Sequence, residues 1–89
     1  MAKRKKKTKF YYDDELDLHG CTREEALTEL EEFVFSSNGD TLLIIHGKGS
    51  GVLKHAVRAF VRKCKYIKNY DFGEDLNLPG GDGLTVIHT

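Results

Sequence analysis

Hydrophobic and polar positions fall into six segments. Glu15 to His19 alternates, with Leu16 and Leu18 on one side and Glu15, Asp17 and His19 on the other. A period of two predicts a strand with one buried face. Ala26, Leu27, Leu30, Phe33 and Val34 then recur at helical spacing. Thr22-Arg23-Glu24-Glu25 just before them fits a capping box, so a helix is predicted from Arg23 to Phe35. Thr41 to His46 is a short continuous apolar run, as in a central strand. A second helix is predicted over Val52 to Lys65, with Leu53, Ala56, Val57, Phe60 and Cys64 inward and Lys54, Arg58, Arg62 and Lys65 outward. Tyr66 to Phe72 alternates loosely and reads as a third strand. Gly73 to Gly83, with Pro79 and a Gly-Gly pair, reads as an exposed, mobile loop. Leu84 to His88 is the last strand. The order βαβαββ is an α/β two-layer sandwich, and the helix between the first two strands makes them parallel neighbours.

The 89 residues suffice for one domain and not for two. No apolar run is long enough to span a bilayer, so no membrane partner is expected. Cys21 and Cys64 lie far apart and match neither a zinc site nor a disulfide framework; they read as reduced thiols of a cytoplasmic protein. The zero net charge hides strong segregation. Residues 1–9 hold six bases and no acid, and are expected to be a disordered basic tail ahead of a domain at 10–89. Phe10, Tyr11 and Tyr12 are expected to pack across the sheet edge. Residues 13–40 hold ten acids against Arg23, and residues 41–70 hold seven bases and no acid. One acidic and one basic surface follow, the basic one a footprint for phosphate backbones.

Two His-Gly turns end the first two strands. If those strands are parallel, both turns lie at the sheet edge where ligands bind in open α/β sheets. His46-Gly47-Lys48-Gly49-Ser50-Gly51 opens onto a helix N-terminus, where free N–H groups and the helix dipole favour an anion. Lys48 adds charge, and a phosphate is the natural guest. The loop lacks the Gly-Lys-Ser/Thr ending of a Walker A motif. Asp17 and His19 leave the strand on one face, about 7 Å apart. Such a pair can share general acid–base work on a phosphodiester. Spacing alone also admits the plainer reading, a surface acid beside a turn histidine, and it leans that way. His46 should stand near His19. No spacing demands a metal, so no metal ligands are assigned; two His and one Asp could hold a divalent ion such as Mg or Mn.

Leu-Asp-Leu-His-Gly, then Thr and an acidic helix, then Ile-Ile-His-Gly-Lys-Gly-Ser-Gly, then a late Gly-Gly-x-Gly-x-Thr-Val, together resemble the Smr (small MutS-related) domain. The resemblance covers residues 14–89. It implies a four-stranded mixed sheet similar to the C-terminal domain of a bacterial translation initiation factor, with the last strand antiparallel to the rest. Several members of the family nick DNA or cleave RNA. The resemblance maps the family's Asp-Leu-His motif onto Asp17, Leu18 and His19, its His-Gly-x-Gly loop onto His46, Gly47 and Gly49, and its late glycines onto Gly80, Gly81 and Gly83. The expectation is an endonuclease on DNA or RNA. Asp17, His19 and His46 would be catalytic; Gly47, Lys48, Gly49, Ser50, Gly51, Lys54, Arg58 and Arg62 would bind phosphate and backbone. The alternative is a non-catalytic nucleic-acid- or ribosome-associated binding module. A monomer is expected.

Overall fold

Leu18 is fully buried while its neighbours Asp17 and His19 face solvent, so the alternation read along the first strand sets a real face. The computed structural model describes residues 11–89, and the basic tail and Phe10 lie outside the described residues. The elements run β1 (Asp14–Asp17), α1 (Arg23–Phe35), β2 (Thr41–Ile45), α2 (Val52–Lys63), β3 (Asn69–Phe72), a single 3-10 turn at Gly81–Gly83, and β4 (Leu84–His88). The sheet order is β1-β2-β4-β3. β1 and β2 are parallel, and β4 inserts antiparallel between β2 and β3. The mixed sheet and its reversed last strand therefore match the expected α/β two-layer fold.

Both helices lie on one face. Ala26, Leu30 and Val34 of α1 and Val57 and Val61 of α2 meet Leu18, Leu42, Ile44 and Ile87 in the main core. The capping box forms as the sequence suggests: the Thr22 hydroxyl accepts from the Glu25 amide, and the Thr22 amide donates to the Glu25 carboxylate. Among the described residues the other sheet face has no helix. A smaller cluster of Tyr12, Leu43 and Val86 is covered there by Leu76, Leu78 and Leu84. Tyr12 packs against the sheet as expected, and burial with a hydrogen bond to Glu15 pushes its hydroxyl up to about 12. Tyr11 stays exposed.

Three expectations are corrected. α2 stops at Lys63, where Cys64 turns extended; Ile67 then buries itself in the connection instead of helix or strand continuing. β3 is correspondingly short and starts at Asn69, not at Tyr66. The segment from Gly73 to Gly83 is no open loop: Gly73, Gly81 and Gly83 are buried, and Leu76 and Leu78 roof the bare sheet face. Gly73 and Gly81 lie back to back. A Cβ on Gly81 would stand 2.6 Å from the Gly73 carbonyl oxygen, and one on Gly73 would meet the Gly81 carbonyl.

Two glycines in this one segment should therefore respond differently to Ala. Gly73→Ala forces backbone apart and should cost about 3 kcal/mol of unfolding free energy. Gly80→Ala has open space and only its left-handed φ of +69° to strain it, at about 1 kcal/mol. Urea denaturation of both variants checks this; equal costs would refute the back-to-back packing.

Candidate functional site

The two His-Gly turns face each other across a cleft of about 390 Å³. One wall is His19 to Arg23 and the other is His46 to Lys54. The parallel pairing of β1 and β2 puts both strand ends on one sheet edge, and Leu18 extends the pairing by donating to the Ile45 carbonyl at 2.7 Å.

The second wall is built for an anion. Gly47, Gly49 and Gly51 have φ of +78°, +27° and +87°, whereas Lys48 and Ser50 between them do not enter positive φ. That alternation turns successive N–H groups into one hollow. Gly51 then starts α2 with no side-chain cap and no acid in the first turn. The first amides of α2 are thus open to a ligand, with the helix dipole behind them. α1, by contrast, closes its own N-terminus with Thr22 and carries Glu24 and Glu25 there. Lys48 pairs with Asp82 at 3.3 Å on the surface, a contact weak enough to yield to a phosphate.

On the first wall, His19 Nδ1 lies 2.9 Å from Asp17 Oδ1, and the His19 amide donates to the same oxygen at 3.1 Å. A carboxylate can only accept, so Nδ1 carries the hydrogen. Among the described residues Nε2 has no partner, and the ring is 79% exposed. Asp17 thus fixes the tautomer that offers Nε2 as a base.

His46 lines the cleft with His19 as expected, but its ring is engaged, and Arg58 points inward rather than outward. His46 is buried, and both ring nitrogens are engaged. Its Nδ1 sits 3.0 Å from the Gly47 carbonyl, which can only accept, so Nδ1 donates. Burial, opposed by that hydrogen bond but reinforced by Arg58 and Lys54, lowers the pKa below its ordinary 6.5 and keeps the ring neutral. Nε2 then accepts from the Thr85 hydroxyl at 2.9 Å. Thr85 Oγ1 in turn accepts from Arg58 Nε at 3.1 Å. The Arg58 guanidinium lies 4.0 Å over the Phe72 ring and is gripped by Glu74 in two bonds of 2.7 and 2.8 Å, with a third to the Leu84 carbonyl. Arg58 therefore leaves the outward basic face, and both His46 ring nitrogens are already engaged within the fold. Lys54 and Arg62 stay accessible to solvent, Lys54 in part.

A divalent ion finds no built cage. The cleft lining has no carboxylate, Asp17 is taken by His19, and among the described residues no three His, Cys, Asp or Glu side chains are placed to share a metal. No helix among the described residues is long and apolar enough to cross a membrane.

A family model described as the Smr domain matches residues 16–89. The chain belongs to the Smr domain family. It is 36% identical over 75 residues to endonuclease MutS2 of Caldanaerobacter subterraneus subsp. tengcongensis, a match covering 81% of this chain and 9% of the relative. It is 40% identical over 80 residues to endonuclease MutS2 of a Geobacillus species, covering 82% and 9%. The chain thus spans about a tenth of the length of these curated relatives. The crystal structure of the Smr domain of Thermus thermophilus MutS2 superposes with a TM-score of 0.72 at 34% identity, covering 83% of this chain and 94% of that one.

In this Smr domain the residue that pattern-reading overlooked is Thr85. Its signal is a polar position on the helix-facing side of an apolar strand, two before the buried Ile87. The late glycines prove structural. The Gly83 carbonyl accepts from the His46 and Gly47 amides, both at 3.0 Å, and a Cβ on Gly83 would press on the Gly47 backbone at 3.2 Å.

Two outcomes follow from this buried relay. Thr85→Val keeps the shape but strips partners from Arg58 Nε and His46 Nε2, and should cost about 2–4 kcal/mol in denaturant unfolding. The relay is also acid-labile. His46 is protonated more readily in the unfolded chain than in the fold, so its contribution is full above 6.5 and is lost as pH falls below it. Glu74, held at about 2 chiefly by hydrogen bonds from Arg58 against an ordinary 4.5, adds a second loss between those two values. Nitrogen-detected NMR should show His46 as the Nδ1–H tautomer titrating below 6.5; an ordinary midpoint would refute the relay.

Proposed function

We propose that this Smr domain is an endonuclease that cleaves phosphodiester bonds in nucleic acid. The observation that carries the reading is the placement of the exposed Asp17–His19 pair opposite the uncapped glycine loop of α2, across one cleft. The endonuclease name of relatives at 36–40% identity supports it. A backbone phosphate sits on the amides of Gly47 to Gly51 and the first turn of α2, with Lys48 released from Asp82 to neutralise it. His19 Nε2 takes the proton from the attacking hydroxyl, and Asp17 steadies the imidazolium that results. The attacking oxygen forms a bond to phosphorus and the bond to the leaving oxygen breaks. In RNA the attacker can be the neighbouring 2′-hydroxyl, which leaves a cyclic phosphate; in DNA it must be water. Lys54 and Arg62 track the flanking backbone. His46 acts here by holding Gly47, not as an acid.

The engagement of His46 also favours a second reading, a binding module that grips phosphate without turnover. One experiment separates the two. Supercoiled plasmid and structured RNA are incubated with wild type, Asp17→Ala and His19→Ala, with and without Mg²⁺ or Mn²⁺. Cleavage should fall at least about 100-fold in either variant. Melting temperatures should stay put, because the two side chains are 47% and 79% exposed. Variants that cut as fast as wild type sink the catalytic assignment. Salt-sensitive binding with no cleavage by wild type establishes the module instead.

A further inference from the structure

A second concavity of about 490 Å³ runs between the outer faces of α1 and α2. α1 contributes a stripe at spacing four: Arg23, Leu27, Glu31 and Phe35. Arg23 lines this groove and the cleft alike, so the two adjoin there. At the far end stand two exposed rings, Phe35 at 58% and Tyr66 at 55%, in edge-to-face contact with centroids 5.1 Å apart. They form a ridge, because a further hollow lined by Lys68 opens on their other side. Lys65 Nζ lies 5.7 Å from the Tyr66 ring, and Lys63 joins it on the groove rim. Against Arg23, Lys63 and Lys65 the lining has one acid, Glu31.

Exposed aromatic rings embedded in positive charge suit a particular guest. Unpaired bases stack on rings irrespective of sequence, while lysines follow the phosphates. An acidic amphipathic helix could use the apolar floor, but the shared Arg23 and the adjoining cleft favour a ligand already seated there. We propose that the α1–α2 groove is a track for a single-stranded stretch of the nucleic acid bound at the cleft, with a base stacked on the Tyr66–Phe35 ridge. The inference rests on the nucleic-acid reading above and adds a preference for unpaired strand. α2 is about 18 Å long at 1.5 Å per residue. At a stacked rise of 3.4 Å the track holds at most about five nucleotides.

Fluorescence anisotropy with a labelled oligothymidylate of about 12 nucleotides, a length within the range of known single-strand sites, tests this. Tyr66→Ala should weaken binding about tenfold, Phe35→Ala should weaken it in the same direction, and Tyr66→Trp should keep it. A blunt duplex, whose bases cannot reach the ridge, should bind all four proteins alike. Both aromatic positions are exposed, so melting temperatures serve as the folding control. Tyr66→Ala binding the single strand as wild type does, while wild type binds and cuts, overturns the track alone. Wild type binding no nucleic acid overturns the track and the proposed function together. A wild-type dimer in sedimentation that Tyr66→Ala dissociates gives the ridge to a second copy and also overturns the track.

Discussion

The Gly83 carbonyl accepts two amides, those of His46 and Gly47, and the shape of the glycine loop before α2 hangs on it. β4 enters the sheet at this point, between β2 and β3. Its first turn therefore meets the end of β2 just where the chain leaves for the loop. The contact is backbone on backbone, which is why it needs glycine: a Cβ on Gly83 would lie 3.2 Å from the Gly47 backbone. Gly73 and Gly81, packed against each other, bring the incoming chain to that spot. The glycine loop before α2 and the late glycines, far apart in sequence, are thus one mechanical unit.

A second prop reaches the same loop from below. Buried Arg58, Thr85 and His46 form a relay that starts at the exposed Glu74 and ends on the Gly47 carbonyl. Every proton in it is assigned by elimination, since the carbonyl and carboxylate at its two ends can only accept. Pairing a buried Arg with an acid adds little net stability, because desolvating the charge offsets the attraction. What the relay secures is orientation. Removing a middle member leaves a buried donor or acceptor with nothing to bond, and that cost disfavours other arrangements of the loop.

The elements and the cleft were legible in the sequence, and for definite reasons. Period-two and helical spacing report which side of an element is buried, so the strand faces, α1 with its capping box, and the meeting of the two His-Gly turns all follow. Spacing does not report partners. Arg58 falls in line with Lys54 and Arg62, but its acid lies sixteen residues on, in a segment that glycine content marks as open loop. His46 reads as a turn histidine free to act, because nothing near it in sequence shows that Thr85 will come beside it. The end of α2 is misplaced for a related reason: Cys64 and Lys65 continue the helical pattern, yet Ile67 gains burial only if the chain turns out of the helix first.

The two histidines divide the site's work in opposite ways. His19 is exposed, with one nitrogen held by Asp17 and the other without a partner among the described residues. The proposed proton transfer needs that open nitrogen. His46 is buried, with both nitrogens spent and with Arg58 and Lys54 opposing a positive charge on it. Protonating it would put a hydrogen on Nε2, where the Thr85 hydroxyl now donates, and would disturb the loop it supports. The proposed chemistry thus uses the ring with an open nitrogen, and the loop rests on the ring whose nitrogens are both engaged. Burial of one ring and exposure of the other separate two His-Gly pairs that look equivalent in the sequence.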